Sequence, residues 1–205
     1  MGTRGTLKVY LNGELKVRQY NQWDSYPTGQ FAGICEFMSS AYNVDTLAEK
    51  LSYSRFFTLE EVERIEQALN VVRNPDGKVV MTCDKEDDMR LAFLYENLVN
   101  RDYGYQFLYA VAGMGKTYIW EDTDAGEKMQ ARYLIPDWEL VFRNSVFGPF
   151  GDQEGNYIIE ITKKEDEKPS FVVKGEWHGT YREFPPNTPP TQAEIEAWEK
   201  EGYGE

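Results

Sequence analysis

The densest group of side chains that could do chemistry lies in residues 20–30, which read Tyr-Asn-Gln-Trp-Asp-Ser-Tyr-Pro-Thr-Gly-Gln. Three aromatic rings in this segment can stack on a ligand, while two neighbouring amides and one carboxylate can hydrogen-bond to it. Small-ligand sites in proteins are built from this mixture of side chains. The segment is therefore the candidate binding site. If the site is catalytic, Asp24 is the candidate general base, and hydrolysis is the reaction class it indicates.

The candidate site also draws on Arg4, whose positive charge would pair with Asp24. The predicted site residues are Arg4, Tyr20, Asn21, Trp23, Asp24, Tyr26 and Gln30. A structural alternative stays open. In that alternative, Trp23 and Tyr26 anchor the core, and Asp24 with Ser25 forms a turn that caps the next helix.

Other motifs start a catalytic or metal-binding pattern without completing it. The run Gly113–Thr117 resembles the end of a phosphate-binding loop, but Ala110 stands where the first glycine is needed, and the predicted helix precedes the run instead of following it. Asp122 and Asp124 lack the closing glutamate of a calcium loop. His178 is the chain's only histidine, so a histidine-based metal cluster cannot form. The sequence therefore predicts no metal site and no cofactor.

A β-hairpin is predicted to carry the candidate site at the end of its second strand. Apolar and polar residues alternate over 3–11, Asn12-Gly13 is a strong hairpin turn, and a second strand follows over 14–22. Apolar residues at three- and four-residue spacing then predict a helix over 27–41.

Similar patterns locate the elements farther along the chain. Predicted helices lie near 45–51, 58–69, 84–97, 102–112 and 191–200, and predicted strands near 79–81, 117–120, 131–135, 140–143, 157–162 and 171–175. This order predicts an α+β fold: a mostly antiparallel sheet with helices packed on one face, opening with a β-hairpin. Residues 1–184 are predicted to form a single domain with the hairpin central. Residues 185–205 are predicted to be a Pro-rich linker and a short C-terminal helix, anchored by Ile195 and Trp198.

The net charge of −13 over 205 residues restricts the possible partners. It excludes nonspecific binding to nucleic acid, which requires Lys and Arg against the phosphates, and adsorption to anionic membranes. It favours a basic partner surface, such as one that normally holds DNA or RNA. The simpler alternative is that the charge keeps the protein soluble.

The cysteines and the hydropathy pattern predict a cytoplasmic protein. Cys35 and Cys83 are far apart and form no CxxC motif, and Cys35 lies in an apolar helical run that predicts burial. No apolar run approaches the ~20 residues that span a bilayer, and no signal peptide is visible. The expected location is the cytoplasm of the host cell.

The N-terminal residues resemble the signature of an uncharacterised family found in bacteriophages, prophages and some bacteria. The resemblance rests on Met1–Thr6, on the Asn12-Gly13 turn and on Tyr20–Gly29. It covers residues 1–30, and the chain then departs at Phe31, where the family usually has glycine. The resemblance implies an origin in a mobile element and brings no established activity with it.

These observations favour a binding protein over an enzyme, because no catalytic constellation is complete. They predict an acidic phage or mobile-element accessory protein that binds and inhibits a host defence nuclease, of the anti-CRISPR or anti-restriction type. It would compete for a basic nucleic-acid-binding surface and would itself bind neither nucleic acid nor membrane. The alternative is a small-molecule-binding protein or hydrolase, either a nucleotide sponge or an enzyme, that uses the Asn21–Tyr26 motif. That alternative predicts a deep pocket beside Trp23, whereas the inhibitor predicts a broad acidic face.

Overall fold

The computed structural model describes most of the N-terminal quarter and the C-terminal quarter of the chain, with shorter pieces between them. The described residues are 3–21, 23–56, 104–113, 140–142 and 154–204, with single residues or pairs at 58, 60, 63, 67, 72–73 and 79–80. The chain divides into two compact units. The first comprises Met1–Ser52, Asp102–Gly113 and Asn144–Glu205, and the second comprises Tyr53–Arg101 and Met114–Arg143.

The first unit is built on a five-stranded sheet. Its strands are β1 (Gly5–Leu11), β2 (Glu14–Asn21), β7 (Gly155–Thr162), β8 (Ser170–Trp177) and β9 (Thr180–Glu183). The strand order is β2-β1-β7-β8-β9; β1 and β7 run parallel, and the other three neighbouring pairs run antiparallel. The predicted α+β fold, with its mostly antiparallel sheet and its opening hairpin, is confirmed. The hairpin does not lie at the centre as predicted, because β7 inserts beside β1 and leaves β2 at the end of the described strand order.

The helices described in the first unit are four in number. They are α1 (Ala32–Met38), which continues from a π-helical turn over Pro27–Phe31, α2 (Ala41–Ser52), α3 (Gln106–Gly113) and α4 (Gln192–Tyr203). The described part of the second unit includes short strands: β3 (Ser54–Phe56) pairs in parallel with β6 (Leu140–Phe142), and β4 (Val72–Arg73) pairs with β5 (Val79–Val80) in antiparallel. Among the described residues, no helix is long and apolar enough to cross a membrane.

The helices of the first unit cover one face of its sheet, and that face carries buried apolar side chains. The register places Leu7 of β1 opposite Tyr157 of β7, and Val9 opposite Ile159, so that these buried side chains share one face. The helices pack on this face: the rings of Phe31 and Tyr157 have centroids 5.2 Å apart. Ion pairs and hydrogen bonds between neighbouring strands lie on the opposite face, including that between Lys174 and Glu160 at 2.8 Å.

The predicted turn at Asn12-Gly13 has the geometry that the sequence indicates. Both residues have positive φ, 50° and 82°, as a type I′ hairpin turn requires. The Asn12 side chain also extends the sheet, since its Nδ2 donates to the Lys163 carbonyl at 3.0 Å and its Oδ1 accepts the Lys163 N–H at 2.8 Å. The first hairpin is therefore tied to the end of β7.

The helix predicted over 27–41 is interrupted by two serines. The Ser39 hydroxyl donates back to the Cys35 carbonyl at 2.7 Å, and the Ser40 hydroxyl accepts the Asn43 N–H at 3.3 Å. Short hydroxyl side chains compete for backbone groups in this way and end or start helices. Consequently α2 begins at Ala41, four residues before the predicted start of this helix near residue 45.

The C-terminal segment is tied into the first unit. The Asn187 N–H donates to the Phe171 carbonyl at 2.9 Å, and the Asn187 Oδ1 accepts the Phe171 N–H at 2.9 Å. These two bonds hold the predicted Pro-rich linker against β8. Thr191 and Glu194 form a capping box at the start of α4, the predicted C-terminal helix. Ile195 and Trp198 are the buried residues of this helix. The predicted boundary at residue 184 stays a prediction.

Strand β9 was not predicted, and several predictions lie outside the described residues. β9 follows a two-residue turn in which His178 and Gly179 have φ of 46° and 80°, a conformation that is uncommon outside glycine but that histidine adopts more often than most residues. The helix predicted over 102–112 corresponds to α3. The features outside the described residues are the helix over 84–97, the strands over 117–120 and 131–135, most of the helix over 58–69, the phosphate-loop-like residues 114–117, the aspartates 122 and 124, and Cys83.

Candidate functional site

Polar side chains hold the 20–30 segment against the sheet. The Nδ2 of Asn21 donates to the carbonyl of Trp23 and, at 2.8 Å, to the hydroxyl of Ser25. Ser25 is fully buried; its N–H donates to the carbonyl of Thr3 at 3.4 Å, and its carbonyl accepts the Tyr157 hydroxyl at 2.5 Å. A turn with its buried polar groups satisfied in this way is fixed in one conformation.

Gln30 holds the end of the segment. It is buried, its Oε1 accepts the Tyr105 N–H at 2.7 Å, and its own N–H donates to the carbonyls of Asp24 and Tyr26, each at 3.1 Å. The packing below the turn is close, because a Cβ atom on Gly155 would clash with the Ser25 carbonyl oxygen. We refer to Asn21, Ser25 and Gln30 as the turn base.

Three residues of the segment are more exposed than the turn base. Trp23 has 61% of its surface exposed, and Asp24 is exposed with a φ of 54°. An aspartate tolerates this left-handed conformation better than most residues do. Tyr26 is half-buried and follows the fully buried Ser25. We refer to Trp23, Asp24 and Tyr26 as the turn tip.

Helix α4 supplies a second carboxylate beside the turn tip. The Oε2 of Glu199 accepts the Thr28 N–H at 2.7 Å, which satisfies a backbone donor in the π-helical turn. Burial raises the pKa of Tyr26, and the negative charges of Asp24 and Glu199 and the hydrogen bond to Asp24 raise it further. Glu199 was not predicted as a site residue. The signal for it is that Ile195 and Trp198 face the core, which places Glu199 at the margin of the buried stripe.

Two predicted site residues, Arg4 and Tyr20, belong to neither group. The backbone of Arg4 joins β1 to the start of β7, since its carbonyl accepts the N–H groups of Glu154 and Gly155 at 3.0 and 3.1 Å. Its N–H also donates to Glu154 Oε2 at 3.2 Å. Tyr20 is buried on β2 opposite Thr6, on the sheet face away from Leu7. The seven predicted residues therefore divide between the turn base, the turn tip and the strands, and the predicted site, including the Arg4–Asp24 charge pair, stays a prediction.

The geometry of the turn tip suits contact with a partner better than general-base catalysis. A catalytic carboxylate works best where water is excluded and the reacting proton is held within about 3 Å. Asp24 instead lies at the surface beside an exposed indole. Within the part of the chain that the structure describes, no group of three or more His, Cys, Asp or Glu side chains could hold a metal ion.

Cys35 and His178 are the remaining described residues of types that often react, and neither lies in a catalytic arrangement. Cys35 is a free, buried cysteine in α1, and burial raises the pKa of its thiol to about 12, so the nucleophilic thiolate does not form at neutral pH. His178 is exposed in the β8–β9 turn, and its ring packs edge-on against Trp177, with centroids 4.4 Å apart.

Comparisons of the chain with protein-family models, with curated proteins and with solved structures found no match.

Proposed function

We propose that this protein is an acidic phage or mobile-element accessory protein that binds a host defence nuclease in the host cytoplasm. The nuclease would be a CRISPR or restriction enzyme, and the protein would inhibit it by occupying the basic surface that normally holds DNA or RNA. The observation that supports this proposal most is the distribution of charge over the first unit.

Acidic side chains outnumber basic ones in the continuously described C-terminal region taken as a whole. Residues 154–204 contain eleven Asp and Glu but six Lys and Arg. Several of those cations are already used in ion pairs: Lys174 lies 2.8 Å from Glu160 and 3.5 Å from Glu183, and Arg182 pairs with Glu201. These pairs neutralise the cations locally and leave an excess of carboxylates at the surface.

The excess carboxylates are exposed on more than one element. They include Glu176 on β8, and Glu194 and Glu196 on α4. A surface of one sign attracts a surface of the other sign over distances near the Debye length, about 10 Å at 0.1 M salt, and speeds the encounter. A basic nucleic-acid groove is a surface of the required sign.

The exposure of Trp23 favours a protein partner over a small ligand. Drug-sized ligands are usually bound in clefts that bury most of their surface. An indole with 61% of its surface exposed does not wall such a cleft. Exposed tryptophans are instead typical of the residues that contribute most to protein–protein interfaces.

A pull-down from bacterial lysate tests the proposal. The tagged protein is expected to retain a nuclease or another nucleic-acid-handling protein, and added duplex DNA or guide RNA is expected to displace it. Raising the NaCl concentration from 0.1 to about 0.5 M should weaken retention, because the Debye length shrinks. Capture of a nucleotide without any such protein would contradict the proposal. So would capture that is insensitive to both salt and competing nucleic acid.

A further inference from the structure

The turn tip presents an exposed tryptophan, which is an uncommon arrangement in a folded domain. Tryptophan is highly buried on average, and Trp177 and Trp198 in the same unit are 0% and 2% exposed. Trp23 is 61% exposed. Since hydrating an apolar ring is unfavourable, a surface tryptophan of this kind is typical of a binding residue.

The backbone beneath this indole is held in place before any partner arrives. The Asn21 side chain donates to the carbonyl of Trp23, and the N–H of Gln30 donates to the carbonyl of Asp24 at 3.1 Å. The residue that follows, Ser25, is fully buried. Ordering a loop on binding reduces affinity, so a fixed tip can bind with less of that cost.

The charge around the indole selects the chemistry of its partner. The exposed Asp24 carboxylate is adjacent in sequence, and Glu199 lies at the same turn, where its Oε2 accepts the Thr28 N–H at 2.7 Å. A cation is attracted both to these carboxylates and to the face of an indole, which is the best of the aromatic faces for cations. Arginine fits the combination better than lysine, because its planar guanidinium can stack on a ring while it donates several hydrogen bonds to a carboxylate.

From these observations we infer that the turn tip binds an arginine side chain of the partner's basic surface. The guanidinium stacks on Trp23 and donates to Asp24. This inference rests on the proposed function and adds to it the point of contact and the kind of residue contacted.

The direct test uses an oligoarginine peptide as the probe and an oligolysine peptide of equal length as its comparison. Calorimetric titration at 0.1 M NaCl is expected to show that Trp23→Ala weakens oligoarginine binding about fivefold, the size of a cation–π contact, and weakens oligolysine binding less. The matched control is Tyr181→Ala, because Tyr181 is also exposed, at 53%, and donates to a neighbouring carboxylate, Glu183, at 2.9 Å. That variant is expected to bind both peptides as the wild type does.

The outcomes separate the inference from the proposed function. Equal oligoarginine binding by wild type and Trp23→Ala, or equal weakening by Tyr181→Ala, would overturn the inference, because binding would then follow net charge alone. Circular dichroism of each variant establishes that the fold is retained. In the pull-down, a host nuclease retained equally by wild type and Trp23→Ala would also overturn the inference while leaving the proposed function intact. Failure of the wild type to retain any nucleic-acid-handling protein would instead contradict the proposed function, whatever the peptides show.

Discussion

The turn base and the turn tip are neighbours in sequence, yet they differ in burial and in hydrogen bonding. Asn21 and Ser25 are buried and use their hydrogen bonds within the turn itself, whereas Trp23 and Asp24, between them in sequence, are exposed. The mixture of amides, aromatics and a carboxylate that suggested one site therefore serves two purposes. Its buried half fixes the backbone, and its exposed half is available to a partner.

The largest difference in the free energy of unfolding is expected between two tryptophan-to-alanine variants, one at a buried and one at an exposed tryptophan. Trp198 supports the turn from α4, since its ring meets Phe31 edge-on at 5.1 Å and its Nε1 donates to the Thr180 carbonyl at 3.0 Å. Trp198→Ala should lower the free energy of unfolding by about 3–5 kcal/mol, because it leaves a cavity. Trp23→Ala should change it by no more than about 0.5 kcal/mol. Urea denaturation measures both, and similar losses would mean that the indole of Trp23 is also part of the core.

A smaller difference is expected within the segment itself. Asn21→Ala removes the donors to Trp23 and Ser25 and should destabilise the protein by about 1–3 kcal/mol, because buried acceptors lose their partner. Asp24→Asn keeps a residue that tolerates positive φ and should cost no more than about 0.5 kcal/mol. Thermal unfolding of the two variants checks this order. The reverse order, with Asp24→Asn the more damaging, would show that the carboxylate is structural.

The smallest effect concerns the hydroxyl that joins β7 to the turn base. Tyr157→Phe removes the hydrogen bond to the Ser25 carbonyl and should cost about 1 kcal/mol at pH 7. The variant keeps an aromatic ring against Phe31, so a loss of stability much larger than this would indicate that the packing had changed as well.

The same hydroxyl predicts how stability depends on alkaline pH. Burial, with smaller contributions from neighbouring negative charges, raises the pKa of Tyr157 well above its ordinary value of 10.0. The unfolded chain therefore loses this proton near pH 10 while the folded chain keeps it. The free energy of unfolding should then fall by up to about 1.4 kcal/mol per pH unit above pH 10, until the raised pKa is reached.

In Tyr157→Phe, the part of this pH dependence that comes from the Tyr157 hydroxyl should be missing, so the free energy of unfolding should fall less steeply above pH 10. Cys35, whose pKa burial raises from 9.0 to about 12, contributes a slope of the same sign to both proteins and cancels in the comparison. Urea denaturation of both proteins between pH 9 and 11 provides the measurement. Equal slopes would show that the Tyr157 hydroxyl is not protected in the folded state.

The parts of the fold that follow from local signals were predictable. Asn12-Gly13 needs positive φ at both positions, and Thr191 with Glu194 forms a capping box, so a few adjacent residues determine each feature. The strand pattern of 3–11 likewise depends on alternation alone. These signals predicted the opening hairpin and the C-terminal helix.

The remaining features depend on residues far apart in the sequence. The parallel pairing of β1 with β7 joins Leu7 to Tyr157, and no local pattern encodes it. The same reason explains why Glu199 was missed, since its contact with Thr28 arises only when α4 packs beside the turn. The burial of each residue in the 20–30 segment was not predictable either. Composition alone does not distinguish the buried Asn21 and Gln30 from the exposed Trp23.

The measurement that tests the division between turn base and turn tip most directly requires no mutation in the protein observed. Oligoarginine, or the basic domain of a captured nuclease, is titrated into ¹⁵N-labelled protein. The indole N–H resonances are followed by NMR. Spectra of Trp23→Ala and Trp198→Ala show which resonance belongs to which tryptophan. If the turn tip binds the ligand, the Trp23 resonance shifts progressively as ligand is added. The resonance of Trp198, which is 2% exposed, stays in place. A Trp23 resonance that does not move at saturation would contradict it.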